Sequence, residues 1–313
     1  MHAAAFSPRG GVAPKTTRLR GQSVIEYVLI IAVIGLVIVF AGPGVAGAIR
    51  NQFNQVTNTV DSGASGDNFL SSEEKAYREA MKTVVNKDAK DWTLDEQKAA
   101  ATDIAKNGTS SVVYAKAKAA MDAGTKFSTK LTNGKTLEYR IVGINHDDLA
   151  DGSGKAGLTF EATNTALAAQ RMNATNANAG GWEASELRGR LNTGDLWSLL
   201  PSELQSKVKP VTKMTDNQGG GKAGTPSTTT DKVFLLSTTE VYGDLQSDGV
   251  QYEYYKSKGV TTSNYSGASS SNYHWARSVN PSYSTGFRCV DSYGLYHNSN
   301  ATSTCCVFPA FSF

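Results

Sequence analysis

The sequence predicts an α+β protein with an apolar N-terminal helix, a linker with helices and a larger mixed domain. Residues 27–48 form an apolar run without a charged side chain. Apolar residues then recur at helical spacing between residues 71 and 121, and from residue 127 the pattern changes to the alternation of strands. The predicted boundaries are 1–21 for a leader, 22–60 for the hydrophobic helix, 61–104 for the linker with helices and 105–313 for the distal domain.

The leader is basic and ends at Gly21. It contains no acid and four positive charges, which are Arg9, Lys15, Arg18 and Arg20. These charges predict that the N-terminus lies in the cytoplasm and that the rest of the chain is exported. One carboxylate, Glu26, precedes the apolar run. A carboxylate near the centre of a membrane helix costs roughly 2.5–3.5 kcal/mol, so we expect Glu26 to have a partner.

Residues 15–60 resemble a type IV pilin of the short Flp/Tad class. In that family a prepilin peptidase cuts after the glycine, and the glutamate at the fifth mature position and the tyrosine after it are hallmarks. The resemblance implies processing between Gly21 and Gln22, and assembly through Glu26 and Tyr27. The new ammonium group on Gln22 would pair with Glu26 of a neighbouring subunit, which offsets the desolvation of both charges.

The implied partners are other pilin subunits, the prepilin peptidase and, before assembly, the inner membrane. The implied location is the cell surface or a pilus, with a membrane-inserted precursor. Two other interpretations stay open: a signal anchor with an isolated glutamate, and a secretory signal peptide cut near Ala46-Gly47-Ala48.

Composition favours a folded protein that does not bind nucleic acid. The chain has 313 residues, of which 40% are hydrophobic and 19% charged, as in globular proteins. Four of its 31 basic residues lie in the leader, which leaves 27 against 28 acidic residues and a net charge of −1. A chain without excess positive charge has no electrostatic attraction to phosphates.

Local signals predict the elements that follow the apolar run. Residues 61–66 read as a flexible linker. Capping residues open helices near Ser71 and Thr93, and a third helix is expected from residue 110 to 121. These helices are either a stalk or the first layer of the distal domain. The later predictions are strands at 137–144, 158–161 and 233–237, helices at 185–191 and 199–208, and a Gly/Thr-rich loop at 216–230.

Residues 105–313 resemble an uncharacterised bacterial family with the C-type-lectin fold, which also carries the variable proteins of diversity-generating retroelements. The matching residues are Gly143-Ile144-Asn145-His146-Asp147, Leu158-Thr159-Phe160, Trp182, Ser185-Glu186-Leu187-Arg188, Leu191-Asn192, Leu200-Pro201, residues 231–237, His274-Trp275-Ala276-Arg277-Ser278 and residues 309–313. The family usually has arginine before the final proline, where this chain has Phe308. The resemblance implies a C-type-lectin-like binding domain.

The segment at about 280–308 has the composition of a diversified binding surface. It is dense in Asn, Ser, Tyr, Asp, His, Thr and Cys. Mutation of AAC codons at their adenines yields these residues and never a stop codon. Tyrosine and serine also suit binding surfaces, because tyrosine makes rigid contacts and serine adapts its hydrogen bonds. The other interpretation is the polar, loop-rich end of an ordinary adhesin.

Strand alternation separates the expected binding face from the core. Phe287, Val290, Val307 and Phe311 should point inward, and Gly286-Phe287-Arg288 reads as structural. The residues expected on the ligand-binding face are Tyr283, Ser284, Asp291, Tyr293, Tyr296, His297, Asn298, Asn300, Thr302, Cys305, Cys306 and Phe308. We also expect Trp182, Trp197, Phe234, Leu235, Leu236 and Trp275 to be buried.

No motif predicts a catalytic, metal or cofactor site. The three cysteines, Cys289, Cys305 and Cys306, lack the spacing of a zinc site. Three interpretations stay open: they are products of diversification, Cys289 forms a disulfide with one of the other two, or they are catalytic thiols. His146 with Asp147, Asp148 and Asp151 is read as a solvated turn in preference to a metal loop.

The sequence therefore predicts a pilin-anchored surface adhesin that binds an unidentified protein or glycan and is not an enzyme. The alternatives are an exported enzyme of the formylglycine-generating type, which shares the C-type-lectin fold, and a structural pilus subunit whose distal domain is a spacer.

Overall fold

A computed structural model describes residues 70–313, which form a mixed α/β unit. The predicted leader and hydrophobic helix, with Gly21, Gln22, Glu26 and Tyr27, lie outside the described residues. None of the helices between residues 70 and 313 combines the length and apolar character needed to cross a membrane.

Three helices open the described part of the chain. Helix α1 spans Ser72–Val84, α2 spans Leu94–Asn107 and α3 spans Tyr114–Ala123. The predicted caps are present, since the Ser71 side chain accepts a hydrogen bond from the Glu74 backbone N–H, and Thr93 forms a capping box with Glu96. Helix α3 starts four residues later than expected, because the residues before it form a 3₁₀ turn at Gly108–Ser110 and a second turn, in which the Tyr114 N–H donates to the Ser111 carbonyl.

The central sheet has five antiparallel strands. They are β1 (Lys126–Lys130), β2 (Thr136–Ile144), β3 (Leu158–Ala162), β6 (Val233–Phe234) and β10 (Ala310–Ser312), in the spatial order β1-β2-β3-β10-β6. The last strand of the chain therefore lies between β3 and β6. Aromatic rings of Phe127, Tyr139, Phe160 and Phe311 pack against one another, with centroids 5.2–5.9 Å apart.

Helices α2 and α3 pack on this sheet, against β3 and β2 respectively. The Tyr139 hydroxyl of β2 donates to the side chain of Gln97 in α2 (3.0 Å), and the Asn145 amide donates to the Ile104 carbonyl (3.1 Å). Ala100, Ala101 and Ile104 are fully buried. The helices thus form the first layer of the distal domain, which decides between the two alternatives that the sequence left open.

The middle of the chain contains short helices and a two-stranded sheet. The helices are α4 (Glu186–Asn192), α5 (Asp195–Leu199), α6 (Ser202–Gln205), α7 (Thr238–Tyr242) and α8 (Glu253–Ser257). The predicted helix at 199–208 is shorter than expected and is confined to α6, because Pro201 lacks an N–H and Leu200 before it is extended, with ψ 135°. Strand β4 (Val211–Thr215) pairs with β5 (Ser227–Asp231).

Two further strand predictions are corrected. Strand β5 lies inside the predicted loop at 216–230, because its run of β-branched threonines favours a strand despite its polarity. The predicted strand at 233–237 is buried as expected, but it is only two residues long and lies at the edge of the sheet. The aromatic and apolar residues expected in the core are buried, except Trp197, which is half-buried beside Lys232.

Candidate ligand-binding surface

The predicted variable segment forms two strands of a three-stranded antiparallel sheet. Its strands are β7 (His274–Val279), β8 (Gly286–Val290) and β9 (Tyr296–Asn300), in the order β7-β8-β9. Strand β7, at one edge of the sheet, is buried along its whole length, whereas β9, at the other edge, is half-buried or exposed throughout. The sheet therefore presents β9 and the two adjacent loops to solvent.

Most residues expected on the binding face lie at the surface. Tyr283 is 60% exposed and Tyr293 is 77% exposed. The other exposed members of the set are Ser284, Asn298, Asn300 and Thr302, and the half-buried members are Asp291, Tyr296, His297 and Cys306. The four residues expected to point inward, Phe287, Val290, Val307 and Phe311, are buried.

Two expected surface residues are buried, and this part of the prediction is wrong. Cys305 is 3% exposed because its backbone exchanges two hydrogen bonds with Gln170, at 3.0 and 2.8 Å. Phe308 is 4% exposed and stacks on His274, with ring centroids 4.5 Å apart. After Ala301, buried and exposed side chains do not alternate as in a strand. Cys305 is hydrogen-bonded to Gln170, and Phe308 stacks on His274.

The sequence predicts a structural role for Arg288, but this residue lies beside the binding face. Its guanidinium donates to the Asn298 side chain (2.9 Å) and lies 5.5 Å from the centre of the Tyr296 ring. Arg288, Tyr296 and Asn298 belong to the same face of the sheet, since Arg288 is paired with Asn298 and Val290 with Tyr296. Only this cross-strand register, which the sequence does not reveal, joins Arg288 to the predicted surface.

Hydrogen bonds fix the β8–β9 turn. Asp291 accepts from the backbone N–H groups of Tyr293 (2.8 Å) and Leu295 (2.9 Å), and its second oxygen lies 2.8 Å from His297 Nε2. Partial burial would raise the pKa of Asp291, but the hydrogen bond from His297 and those from the backbone hold it below its usual value. The turn thus presents the Tyr293 side chain to solvent from a preorganised backbone.

The three cysteines are free, and their thiols are protonated at neutral pH. Burial raises the pKa of Cys289 to about 12 and that of Cys305 to about 11, and it also raises the pKa of Cys306. The Cys289 thiol donates to the hydroxyl of Tyr273 at 2.6 Å. An activated thiolate needs a lowered pKa, which none of these cysteines has.

A buried network of charges lies away from this surface. The Lys213 ammonium lies 2.5 Å from Asp147 and 2.6 Å from Glu240, and Arg277 pairs with Glu240 through two hydrogen bonds. Burial would raise the pKa of both carboxyl groups, but the charges of Lys213 and Arg277 outweigh it and hold both pKa values low. Asp147, Glu240 and Arg277 thus support the fold, and Asp147 does not lie in a solvated turn.

An open cleft of about 340 Å³ lies beside this network. His146 stacks on Tyr252 and contacts the carboxylate of Glu253 at 3.1 Å. Burial would lower the pKa of His146, but the hydrogen bond to Glu253 and nearby carboxylates raise it. Among residues 70–313 no group of three or more His, Cys, Asp or Glu side chains is arranged to hold a metal ion.

Sequence comparison assigns the distal half of the chain to a family. The searches of curated proteins and of solved structures found no match. A family model described as a domain of unknown function (DUF6273) matches residues 156–313, which contain both the three-stranded sheet and most of the charge network. Because this match spans just over half of the 313 residues, the chain belongs to the DUF6273 family.

Proposed function

We propose that the chain is a pilin-anchored surface adhesin whose distal domain, of C-type-lectin type, displays a diversified binding face. The N-terminal part of this proposal depends on the sequence of residues 15–60, with Gly21, Glu26 and Tyr27 at the positions of the pilin hallmarks. In this proposal the protein reaches the cell surface through a membrane-inserted precursor and binds a ligand without chemical turnover.

One observation carries the proposal: framework and variable side chains are separated in space. Phe287, Val290, Val307 and Phe311 are buried, whereas the residues expected on the binding face are exposed or half-buried, except Cys305 and Phe308. A surface can be diversified only if its changes leave the core intact, because cavities and buried unpaired polar groups destabilise proteins. The observed separation meets this requirement.

The thiols favour binding over enzymatic chemistry of the formylglycine-generating type. The raised pKa values of Cys289, Cys305 and Cys306 keep these groups protonated. Protonated, largely buried thiols suit neither nucleophilic attack nor metal binding.

The proposal predicts that the face tolerates simultaneous substitution. A variant with Tyr283→Ser, Tyr293→Asn, Asn298→Asp, Asn300→Tyr and Thr302→Asn should melt within a few degrees of the parent chain, because surface changes rarely exceed about 0.5 kcal/mol each. Its profile on a glycan array and with displayed random peptides should change. The control, Phe287→Ala, should cost about 3–5 kcal/mol. Unfolding of the five-residue variant, or an unchanged binding profile, would contradict the proposal.

A further inference from the structure

The outer edge of β9 carries free backbone hydrogen-bonding groups. In the β8–β9 pairing, His297 and Ser299 lie opposite Cys289 and Phe287, and the Ala301 N–H bonds to the Thr285 carbonyl. Hydrogen-bonded pairs alternate with non-bonded pairs in an antiparallel ladder. The backbone groups of Tyr296, Asn298 and Asn300 therefore point away from β8.

Five of these outward groups have no partner among residues 70–313. They are the N–H groups of Tyr296, Asn298 and Asn300 and the carbonyl groups of Tyr296 and Asn298, while the Asn300 carbonyl accepts from the Ser303 N–H. Asn298 and Asn300 are also exposed. Donors and acceptors thus alternate along an accessible strand, in a pattern that another extended backbone complements.

Two exposed tyrosines lie in the loops at opposite ends of the three-stranded sheet. Tyr293 lies in the turn before β9. Tyr283 lies near the other end, because a Cβ atom added to Gly286, the partner of Asn300, would lie 3.7 Å from the Cβ of Tyr283. Five strand residues span roughly 14–17 Å. An extended segment of five to seven residues would therefore run along the whole of β9.

Strand β1, at an edge of the five-stranded sheet, differs from β9 because it carries residues that protect an edge strand from pairing. Its outward side chains include Lys126 and Lys130, and lysine on an edge strand opposes pairing with another chain. Strand β9, Tyr-His-Asn-Ser-Asn, contains neither lysine nor proline. Within residues 70–313, the β9 edge therefore lacks the lysine and proline that protect edge strands.

We propose that the β9 edge binds an extended polypeptide segment of a partner protein, which adds to the sheet as a fourth strand. The inference rests on the proposed function and names its ligand class. Backbone hydrogen bonds would supply affinity that tolerates diversification, because they do not depend on side-chain identity. Side chains of β9 on both faces, Arg288, Tyr283 and Tyr293 would select the sequence of the segment.

The test uses the full chain and a random heptapeptide library displayed on phage. Selected peptides should slow hydrogen exchange at the amides of Tyr296, Asn298 and Asn300, which are open in the free protein. Asn298→Pro should weaken peptide binding at least about tenfold, because it removes one edge donor and blocks close approach of the added strand. The Asn298 N–H forms no hydrogen bond with β8, so the substitution should leave the β8–β9 pairing and the fold intact.

Ser128→Pro is the matched control. Ser128 is an exposed residue of β1 whose backbone also points away from its neighbour strand, so the same change is made on the other edge. Peptide affinity should equal that of the parent chain. Asn298→Ala keeps the backbone donor and should weaken binding less than Asn298→Pro does.

Several results would overturn the inference. Protection at amides other than these three, or equal peptide binding by Asn298→Pro, would place the peptide elsewhere. Glycan binding without peptide enrichment would also overturn it, while leaving the proposed adhesin function intact. Protection of the three amides without peptide, rising with protein concentration, would show that a second copy of the chain occupies the edge. The exchange measurement on the parent chain decides the matter even if a proline variant fails to fold.

Discussion

Charged residues in the interior of this domain form ion pairs with one another. Lys213 is held between two carboxylates, and Glu240 is also bound by Arg277. The Tyr252 hydroxyl donates to Asp147, and the Thr159 hydroxyl does so at 2.5 Å. Each polar group therefore replaces lost water with a protein partner, and removal of a single member leaves an uncompensated buried charge.

Lys213→Met should destabilise the domain by about 3–5 kcal/mol, since Asp147 loses its ammonium partner and Glu240 loses one of two. Urea unfolding, followed by circular dichroism, measures this loss. The control is Lys155→Met, which removes an ion pair with Asp148 whose side chains are 48% and 72% exposed. We expect that change to cost no more than about 1 kcal/mol. Equal effects of the two variants would show that the network does not stabilise the fold.

The same network predicts sensitivity to acid. The pKa values of Asp147 and Glu240 are lower in the folded state than in the unfolded state. Their contribution is complete above the ordinary carboxyl pKa of about 4 and is lost as the pH falls through the lower folded values. Unfolding free energies from urea titrations at pH 7, 4, 3 and 2.5 should decline below pH 4. Asp147→Asn should flatten that decline, and Asp148→Asn should not. Parallel curves for the parent chain and both variants would show that Asp147 does not cause the acid sensitivity.

At the scale of elements, close approach between α2 and the sheet sets the position of β3. A Cβ atom added to Gly157, which precedes β3, would lie 1.8 Å from the Ala101 carbonyl oxygen in α2. A backbone atom cannot move aside as a flexible side chain can. The contact therefore requires glycine at this position.

Gly157→Ala should abolish the native fold or lower the melting temperature by more than any surface change. The matched control is Gly189→Ala in α4, where an added Cβ meets nothing within 4 Å. That change should stabilise the protein by roughly 0.5–1 kcal/mol, because alanine loses less backbone entropy in a helix than glycine does. Differential scanning calorimetry of both variants is the measurement. A Gly157→Ala protein as stable as the parent would mean that α2 does not pack as described.

Local signals explain which elements could be predicted. The caps at Ser71 and Thr93, the alternation in the first half of β2 and the short strand β3 depend on neighbouring residues, and they are present as expected. The edge position of β6 and the burial of Cys305 depend on distant partners. The charge network is hidden for the same reason, because its members are separated by up to 130 residues, from Asp147 to Arg277. Charged residues within apolar strands, such as Arg277 in β7, were the one local sign of it.

At the scale of the whole molecule, the proposed function depends on the sequence for residues 15–60 and on the structure for residues 70–313. The described unit places the last strand, β10, between β3 and β6 in the five-stranded sheet and the polar strand β9 at the surface. The proposed anchor depends on the sequence of residues 15–60 alone. A diversified face is useful to an adhesin only if the chain is displayed, so the anchor and the face make one functional proposal with separate tests.

Glu26→Ala should block incorporation of the chain into fibres while leaving cleavage after Gly21 intact. The carboxylate is expected to neutralise the new ammonium group of a neighbouring subunit in an apolar bundle, and without it that charge is buried unpaired. N-terminal sequencing of both proteins should begin at Gln22, but only the parent chain should appear in sheared surface fibres. Glu73→Ala, which removes an exposed carboxylate of α1, should assemble normally. A mature chain that begins after Ala48, or normal assembly of Glu26→Ala, would contradict the pilin anchor and leave the binding domain to be displayed by another route.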